Sequence, residues 1–423
     1  MTSFYSTTAI EQLKHRVAQT ASNPRWSEVF SACFDNTLAT TVKITAGDTF
    51  VITGDIPAMW LRDSTAQMKP YLGLAQTDSA IRKMICGLVK RQIKCILIDP
   101  YANAFNETEN GQCYHQDQTE MNGWIWERKY EVDSLCYPVE LAYLLWQKTG
   151  ETSHFTTAFK KAAASIIQVF KTEQRHEHSP YRFERFGERP EDTLSHQGRG
   201  ESCGYTGMTW SGFRPSDDSC TYPYLVPANM FAAVILGYLA EIFTVIYQDK
   251  ELTEQAAQLK AEITAGIEKW GIVEHEGKKV YAYEVDGLGN FLLMDDANVP
   301  SLLAAPYLGY CRIEDPIYQN TRALILSKQN PYYYTGNYLQ GIGSEHTPKQ
   351  YVWPIALAME GLTTTERNRQ KELLDMLVST ENGTNHMHEG INVDDPSHYT
   401  REWFSWANMM FCEFLLEYLG LNE

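Results

Sequence analysis

Apolar residues at three- and four-residue spacing recur in consecutive pairs along this 423-residue chain, and the connections within the pairs are short. The spacing predicts helices over residues 9–20, 26–40, 64–77, 79–99, 132–149, 153–176, 228–248, 252–270, 300–308, 317–326, 351–361, 364–379 and 401–419. Several open on Ser, Thr or Asp, which suit the capping position. Connections such as "GLAQTDSA" (73–80) and "TGETSHF" (149–155) are too short to do more than reverse the chain. A helix with one apolar stripe must bury it against a partner. A dozen or so paired helices without a linker rich in Gly, Ser or charge therefore point to one all-α domain over residues 1–423, an (α/α) barrel. A helical solenoid is the alternative, and the absence of a repeat of fixed period counts against it.

Strand signals are few. "KITAGDTFVITGD" alternates Val42, Ile44, Phe50 and Ile52 about an Ala-Gly-Asp turn and reads as a hairpin. "KKVYAYEVDGLGNFLLMDD" reads as a second, turning at Asp286-Gly287. Two long loops, 100–131 and 177–227, are rich in Trp, Tyr, Cys and Pro, which marks them as functional and not disordered.

Charge narrows the partners. The formal net charge of -17 and the lack of a basic stripe exclude a nucleic acid and an anionic membrane surface, and suit a neutral ligand. No run of eighteen apolar residues predicts a transmembrane helix, and the N-terminal segment has no basic stretch followed by an apolar one. The nine cysteines form no C-x-x-C pair, so buried thiols in a reducing, cytoplasmic compartment are expected, without a zinc site. Ten Trp and twenty-five Tyr supply flat faces on which sugar rings stack, although a large helical core also uses many aromatics.

Polar clusters set in aromatic context recur five times. They are Arg62-Asp63 after Trp60; Glu127, Glu131 and Asp133 after Trp124 and Trp126; Asp217-Asp218 after Trp210 and Arg214; Asp295-Asp296 before Asn298; and His386 to Asp395 before Trp403. Almost every one contributes a carboxylate, and none offers a serine elbow or a phosphate loop. Carboxylates, aromatics and an uncharged ligand point to glycoside hydrolysis, in which one carboxylic acid protonates the leaving oxygen and a second carboxylate serves as base or nucleophile. Each cluster has a plainer reading too: a buried salt bridge for Arg62-Asp63, helix caps for "SDDS" and "DDAN", ordinary packing for His386 and His388. A sugar-binding module without turnover is the reading from another class; it gives the paired carboxylates no task.

The segments "TGDIPAMWLRDSTAQM", "NGWIWERKYEVDSLCYP", "TGMTWSGFRPSDD", "DDANVPSLLAAPYLGY", "HMHEGINVDDP" and "TREWFSWANMMF", in that order, resemble the exo-α-1,6-mannosidases of glycoside hydrolase family 125 over roughly residues 25–420. The resemblance implies an (α/α)6 barrel with minor β-hairpins and long loops on the active-site face. It implies inversion at the anomeric carbon, no metal and no cofactor. The implied substrate is an α-mannoside oligosaccharide such as an N-glycan fragment. Residue by residue, it makes Asp218 the general acid and Glu389 the general base, and lines the terminal-sugar pocket with Trp60, Arg62, Asp63, His346 and Thr347. The family often carries Ser after the base, where this chain has Gly390. Inversion would set the two carboxyls about 6.5–9.5 Å apart, with burial or Asp217 keeping Asp218 protonated. A barrel glycosidase for another sugar or linkage is the alternative.

Overall fold

The computed structural model describes residues 7–45, 47–187 and 189–422. The first six residues, part of the segment read above for a leader, lie outside them. The chain divides into two compact units, the first made of Met1–Arg91, Leu144–His154 and Tyr332–Glu423, the second of Gln92–Tyr143 and Phe155–Pro331.

Two kinds of helix build the first unit. Thr8–Thr20 buries Ile10, Leu13 and Val17 on one stripe, and the Thr7 hydroxyl accepts the Ile10 N–H at its start. Pro24–Asn36 likewise buries Trp26, Val29, Phe30, Cys33 and Phe34, with Asn23 as its cap and Pro24 where a missing N–H costs nothing. Leu61–Met68, Pro354–Leu362 and Ser405–Leu419 are different. They are buried nearly all round, and no side chain caps them; Trp60, Trp353 and Phe404 stand at their N-termini. Ser405–Leu419 packs against the other two and against Pro24–Asn36. Every buried Leu, Met or Phe on such a helix stabilises by about 1.5–3 kcal/mol, which substitutes for the missing caps.

The second unit repeats the pattern. Thr157–Glu173 and Lys250–Gly266 are capped by Thr156 and Asp249 and bury one face each. Val226–Ile242, buried over most of its length, lies along Lys250–Gly266. Its continuation to Tyr247 makes a helix long and apolar enough, by length and composition, to cross a membrane. The sequence reading missed this because Asn229, Gly237 and Glu241 interrupt the apolar run.

Helix boundaries depart from expectation where a local residue overrides the period. The predicted 64–77 helix starts at Leu61 and stops at Met68, because Pro70 lacks an N–H and clashes with the preceding turn. The predicted helix over 300–308 is a run of turns. There the two carboxylate oxygens of Asp295 take the N–H groups of Leu302 and Leu303 at 2.8 and 2.9 Å. Val42–Ile44 and Thr49–Val51 pair as expected. Glu284–Val285 pairs with Phe291–Leu292 across the Asp286-Gly287 turn, but Lys278–Tyr281 belongs to a separate hairpin with Ile272–His275.

Candidate active site

In the first unit a small sheet in the order Tyr351–Val352, Gly390–Asn392, Tyr399–Thr400 gathers three side chains at one end. Trp353 follows the first strand, Glu389 precedes the second and Arg401 follows the third; Glu389 N–H bonds to Thr400 O at 3.1 Å. The Glu389 carboxylate is buried, 6% exposed. Among the described residues its one hydrogen-bond or ion-pair partner is Arg401, whose Nη1 lies 3.5 Å from Oε1. That is beyond the 2.7–3.2 Å of a full N–H···O bond. Its neighbour His388 has different partners. It stacks on Tyr399 with ring centroids 3.7 Å apart, and its nitrogens face the carbonyls of Glu402 and Glu381. Burial holds the His388 pKa below the ordinary value, which favours the neutral ring.

Arg401 has its closer partner in Asp55: Nε lies 3.1 and 3.2 Å from the two carboxylate oxygens, and Nη2 2.5 Å from Oδ1. Its guanidinium sits over the Phe404 ring, 4.2 Å from the centroid. Burial alone would lower the Arg401 pKa, but Glu389, Asp55 and Asp63 together raise it. Gly54 makes this approach possible. Its φ is 139°, and a Cβ there would stand 2.7 Å from Trp403 O. Asp63, in the first turn of Leu61–Met68, accepts from the Thr53 hydroxyl, and its Oδ2 lies 3.6 Å from Arg62 Nε. Both members of that pair are buried, and Arg62 lies over the Trp406 ring. Thr347 Oγ1 accepts from Trp353 Nε1 at 2.9 Å, while His346 is half-buried. Trp60, Arg62, Asp63, His346, Thr347 and Glu389 thus belong to one unit, with Asp63 in the first turn of a helix, where the backbone dipole favours negative charge.

Asp218 belongs to the second unit and is fully buried. It sits on a tight loop closed by the Phe213–Ser219 bridge and by Arg214 N–H to Asp218 O at 2.8 Å. Asp217, one residue earlier, takes a left-handed φ of 68°. The loop is fastened by Arg214, whose Nε lies 2.6 Å from Glu284 Oε1. Glu284 Oε2 accepts the N–H groups of Thr221 and Tyr222 at 3.0 and 2.9 Å. Lys129 holds Asp217 O and Asp192. Burial alone would lower its pKa, but surrounding carboxylates raise it. Arg189 reaches Asp218 Oδ1 at 3.2 Å. Trp210 stacks on His176 with centroids 3.6 Å apart.

In the other predicted clusters, several carboxylates have close partners of their own. Glu127 is held by Asn103 and Arg185, Ser134 donates to Glu131, and Asp296 accepts from Asn298. Among the described residues no group of three or more His, Cys, Asp or Glu is placed to hold a metal ion. Sequence reasoning passed over Arg401, Asp55 and Arg189. The first two lie inside quoted segments, but their pairing spans 346 positions and leaves no local pattern.

A family model described as metal-independent alpha-mannosidase (GH125) matches residues 23–416. The chain is 38% identical over 436 residues to the Meiotically up-regulated gene 157 protein of Schizosaccharomyces pombe, spanning 97% of this chain and 86% of that one. It is 55% identical, with a TM-score of 0.97 and 99% of both chains covered, to a Streptococcus pneumoniae metal-independent alpha mannosidase solved in a non-productive substrate complex with alpha-1,6-mannobiose. A glycosidase in complex with glucose, 12% identical at a TM-score of 0.55 over 96% of this chain and 98% of its own, shares the fold. The fold class is all-α, the (α/α)6 barrel of glycosidases.

Proposed function

The chain belongs to glycoside hydrolase family 125, the metal-independent α-mannosidases, and from that premise we propose that it releases terminal α-1,6-linked mannose from oligosaccharides with inversion. Asp218 gives its proton to the glycosidic oxygen. Glu389 takes a proton from the water that attacks the opposite face of the sugar. Trp60, Arg62, Asp63, His346 and Thr347 hold the terminal sugar, Arg62 donating to its hydroxyls and Asp63 accepting from them.

The observation that carries this reading is the state of Glu389. It is a buried carboxylate with one long contact to Arg401 at Oε1, and Oε2 takes no hydrogen bond from a described residue. An oxygen so placed has lone pairs for a water proton. The solved α-1,6-mannobiose complex of the S. pneumoniae relative supports the linkage. The buried thiols Cys33, Cys86, Cys95, Cys136, Cys220 and Cys412 support a reducing cytoplasm as its place of action.

Proton NMR during hydrolysis of α-1,6-mannobiose tests the whole. The expected first product is β-mannose, with the α-anomer growing in later by mutarotation. If α-mannose appears first, inversion is wrong. If α-1,2- or α-1,3-mannobiose is cleaved equally well, the linkage is wrong.

A further inference from the structure

The guanidinium of Arg401 divides its donors unequally between two carboxylates. Its Nε and Nη2 edge faces Asp55 at 2.5–3.2 Å, the geometry of a closed two-point ion pair. Only Nη1 is turned to Glu389, and it stops at 3.5 Å. The plane of the fork is fixed by Phe404 beneath it. Its backbone takes a φ of 42°, a left-handed conformation that costs a non-glycine residue energy and persists where the surroundings impose it. The surroundings do so here. Ser405 N–H bonds to Thr53 O at 3.1 Å, Gly54 bridges Phe404, and Asp55 is thereby set against Arg401.

A carboxylate gripped at both oxygens by a guanidinium is a poor base, because its lone pairs are occupied and its charge is matched. One left with no cation nearby in a buried site would tend to pick up a proton and lose its function. Glu389 stands between these limits. We propose that Arg401 and Asp55 act as a positioning pair for the base, Asp55 holding the guanidinium back so that Arg401 orients Glu389 and keeps a positive charge beside it without closing on it. This rests on the reading of Glu389 as the base. Arg401 is the positioning residue, and Asp55, 39% exposed, sets its reach. The charged groups around the pair are Glu389 and Asp63, with Arg62 beside Asp63; His388, next to Glu389 in the chain, stacks on Tyr399 and faces the carbonyls of Glu402 and Glu381.

The test is the pH dependence of kcat/KM on α-1,6-mannobiose, with kcat and KM measured separately, for Asp55→Asn, Arg401→Gln and Arg401→Lys. Asp55→Asn frees the guanidinium to close on Glu389. The acidic limb then moves to lower pH and kcat falls about 10-fold, with KM little changed. Arg401→Gln removes the cation, so the acidic limb moves to higher pH and kcat falls about 100-fold. Arg401→Lys returns the limb towards its original position but restores only part of kcat, because an ammonium lacks the planar fork. A merely structural role would lower thermal stability and leave the limb in place. The proposal is overturned if both charge-changing variants keep the limb within about 0.2 pH units of wild type, or if they move it in the same direction. Should Arg401→Gln fail to fold, Asp55→Asn and Arg401→Lys decide between opposite and absent shifts. Glu389→Ala with added azide separates this failure from failure of the underlying reading. Rescue with formation of β-mannosyl azide upholds Glu389 as base whatever the limb does, and wild-type turnover without azide overturns it.

Discussion

Glu284 and Glu389 are both buried glutamates set at the middle strand of a three-stranded sheet, one in each unit, yet they are held in opposite ways. Glu284 has three donors within 3.0 Å: Arg214 on one oxygen, the N–H groups of Thr221 and Tyr222 on the other. Glu389 has one, at 3.5 Å. The first is a fastener that fixes the loop bearing Asp218. The second keeps lone pairs in hand. The difference teaches that burial alone does not fix what a carboxylate is free to do: two buried glutamates differ in how many donors close on them and how tightly.

The comparison can be broken by exchanging losses. Glu389→Gln should cut kcat by about 1,000-fold while the melting temperature stays near wild type. Glu284→Gln should do the reverse in its primary effect. It leaves Arg214 buried without its counter-charge, a cost of about 3–5 kcal/mol read as a large fall in melting temperature. If Glu284→Gln melts normally and Glu389→Gln unfolds, the two roles have been assigned the wrong way round.

Asp218→Asn sharpens the contrast. Its kcat/KM on α-1,6-mannobiose should fall by about 1,000-fold, whereas a 2,4-dinitrophenyl α-mannoside, whose leaving group needs no proton, should lose far less. Equal losses on both substrates would remove Asp218 from the acid role. Asp63→Ala comes next, with an expected loss of more than about 100-fold in kcat/KM, or roughly 3 kcal/mol. Retention of activity within about threefold would leave Asp63 a structural role, through contacts such as those to Thr53 and Arg62.

The smallest effect concerns the loop before Glu389. Burial alone would raise the pKa of Glu381, but Arg25, at 2.6 Å, and the Asn385 N–H outweigh it and hold the pKa below the ordinary value. A depressed acid contributes stability above its unfolded pKa of about 4.3 and loses it as pH falls through the folded value. Glu381→Gln should therefore lower the melting temperature by on the order of 2 °C at pH 7. The gap to wild type should close below pH 4, as differential scanning calorimetry would show.

Legibility followed the physics of each element. Thr8–Thr20 was plain in the sequence because it buries one stripe and opens on a Thr cap, whereas Thr157–Glu173, equally one-sided, was drawn too long at 153–176 because its Thr156 cap was read as interior. Two-residue strands such as Met59–Trp60 were not legible, since a period of two cannot show itself in two residues. The false helix over 300–308 arose from an apolar run whose N–H groups go to Asp295, a side-chain acceptor that periodicity does not register. The family could be read from six ordered segments, and with it the candidates Asp218 and Glu389. What surrounds them could not. Arg401 meets Asp55 across hundreds of residues, and Glu284 meets Arg214 across 70, so only folding reveals which carboxylates are fully engaged.

Gly390 carries one more consequence. A Cβ at this position would lie 3.2 Å from Thr400 Oγ1 and 3.3 Å from Trp353 Nε1, tighter than side chains ordinarily tolerate. Bulk at 390 and the tilt of the indole at 353 are therefore one shared allowance, divided between two places in the chain. A lineage that acquires serine at position 390 must let the tryptophan yield by a few tenths of an ångström, and the Thr347 hydroxyl that holds the indole must follow. Substitutions at 347, 353, 390 and 400 should accordingly be inherited as a set.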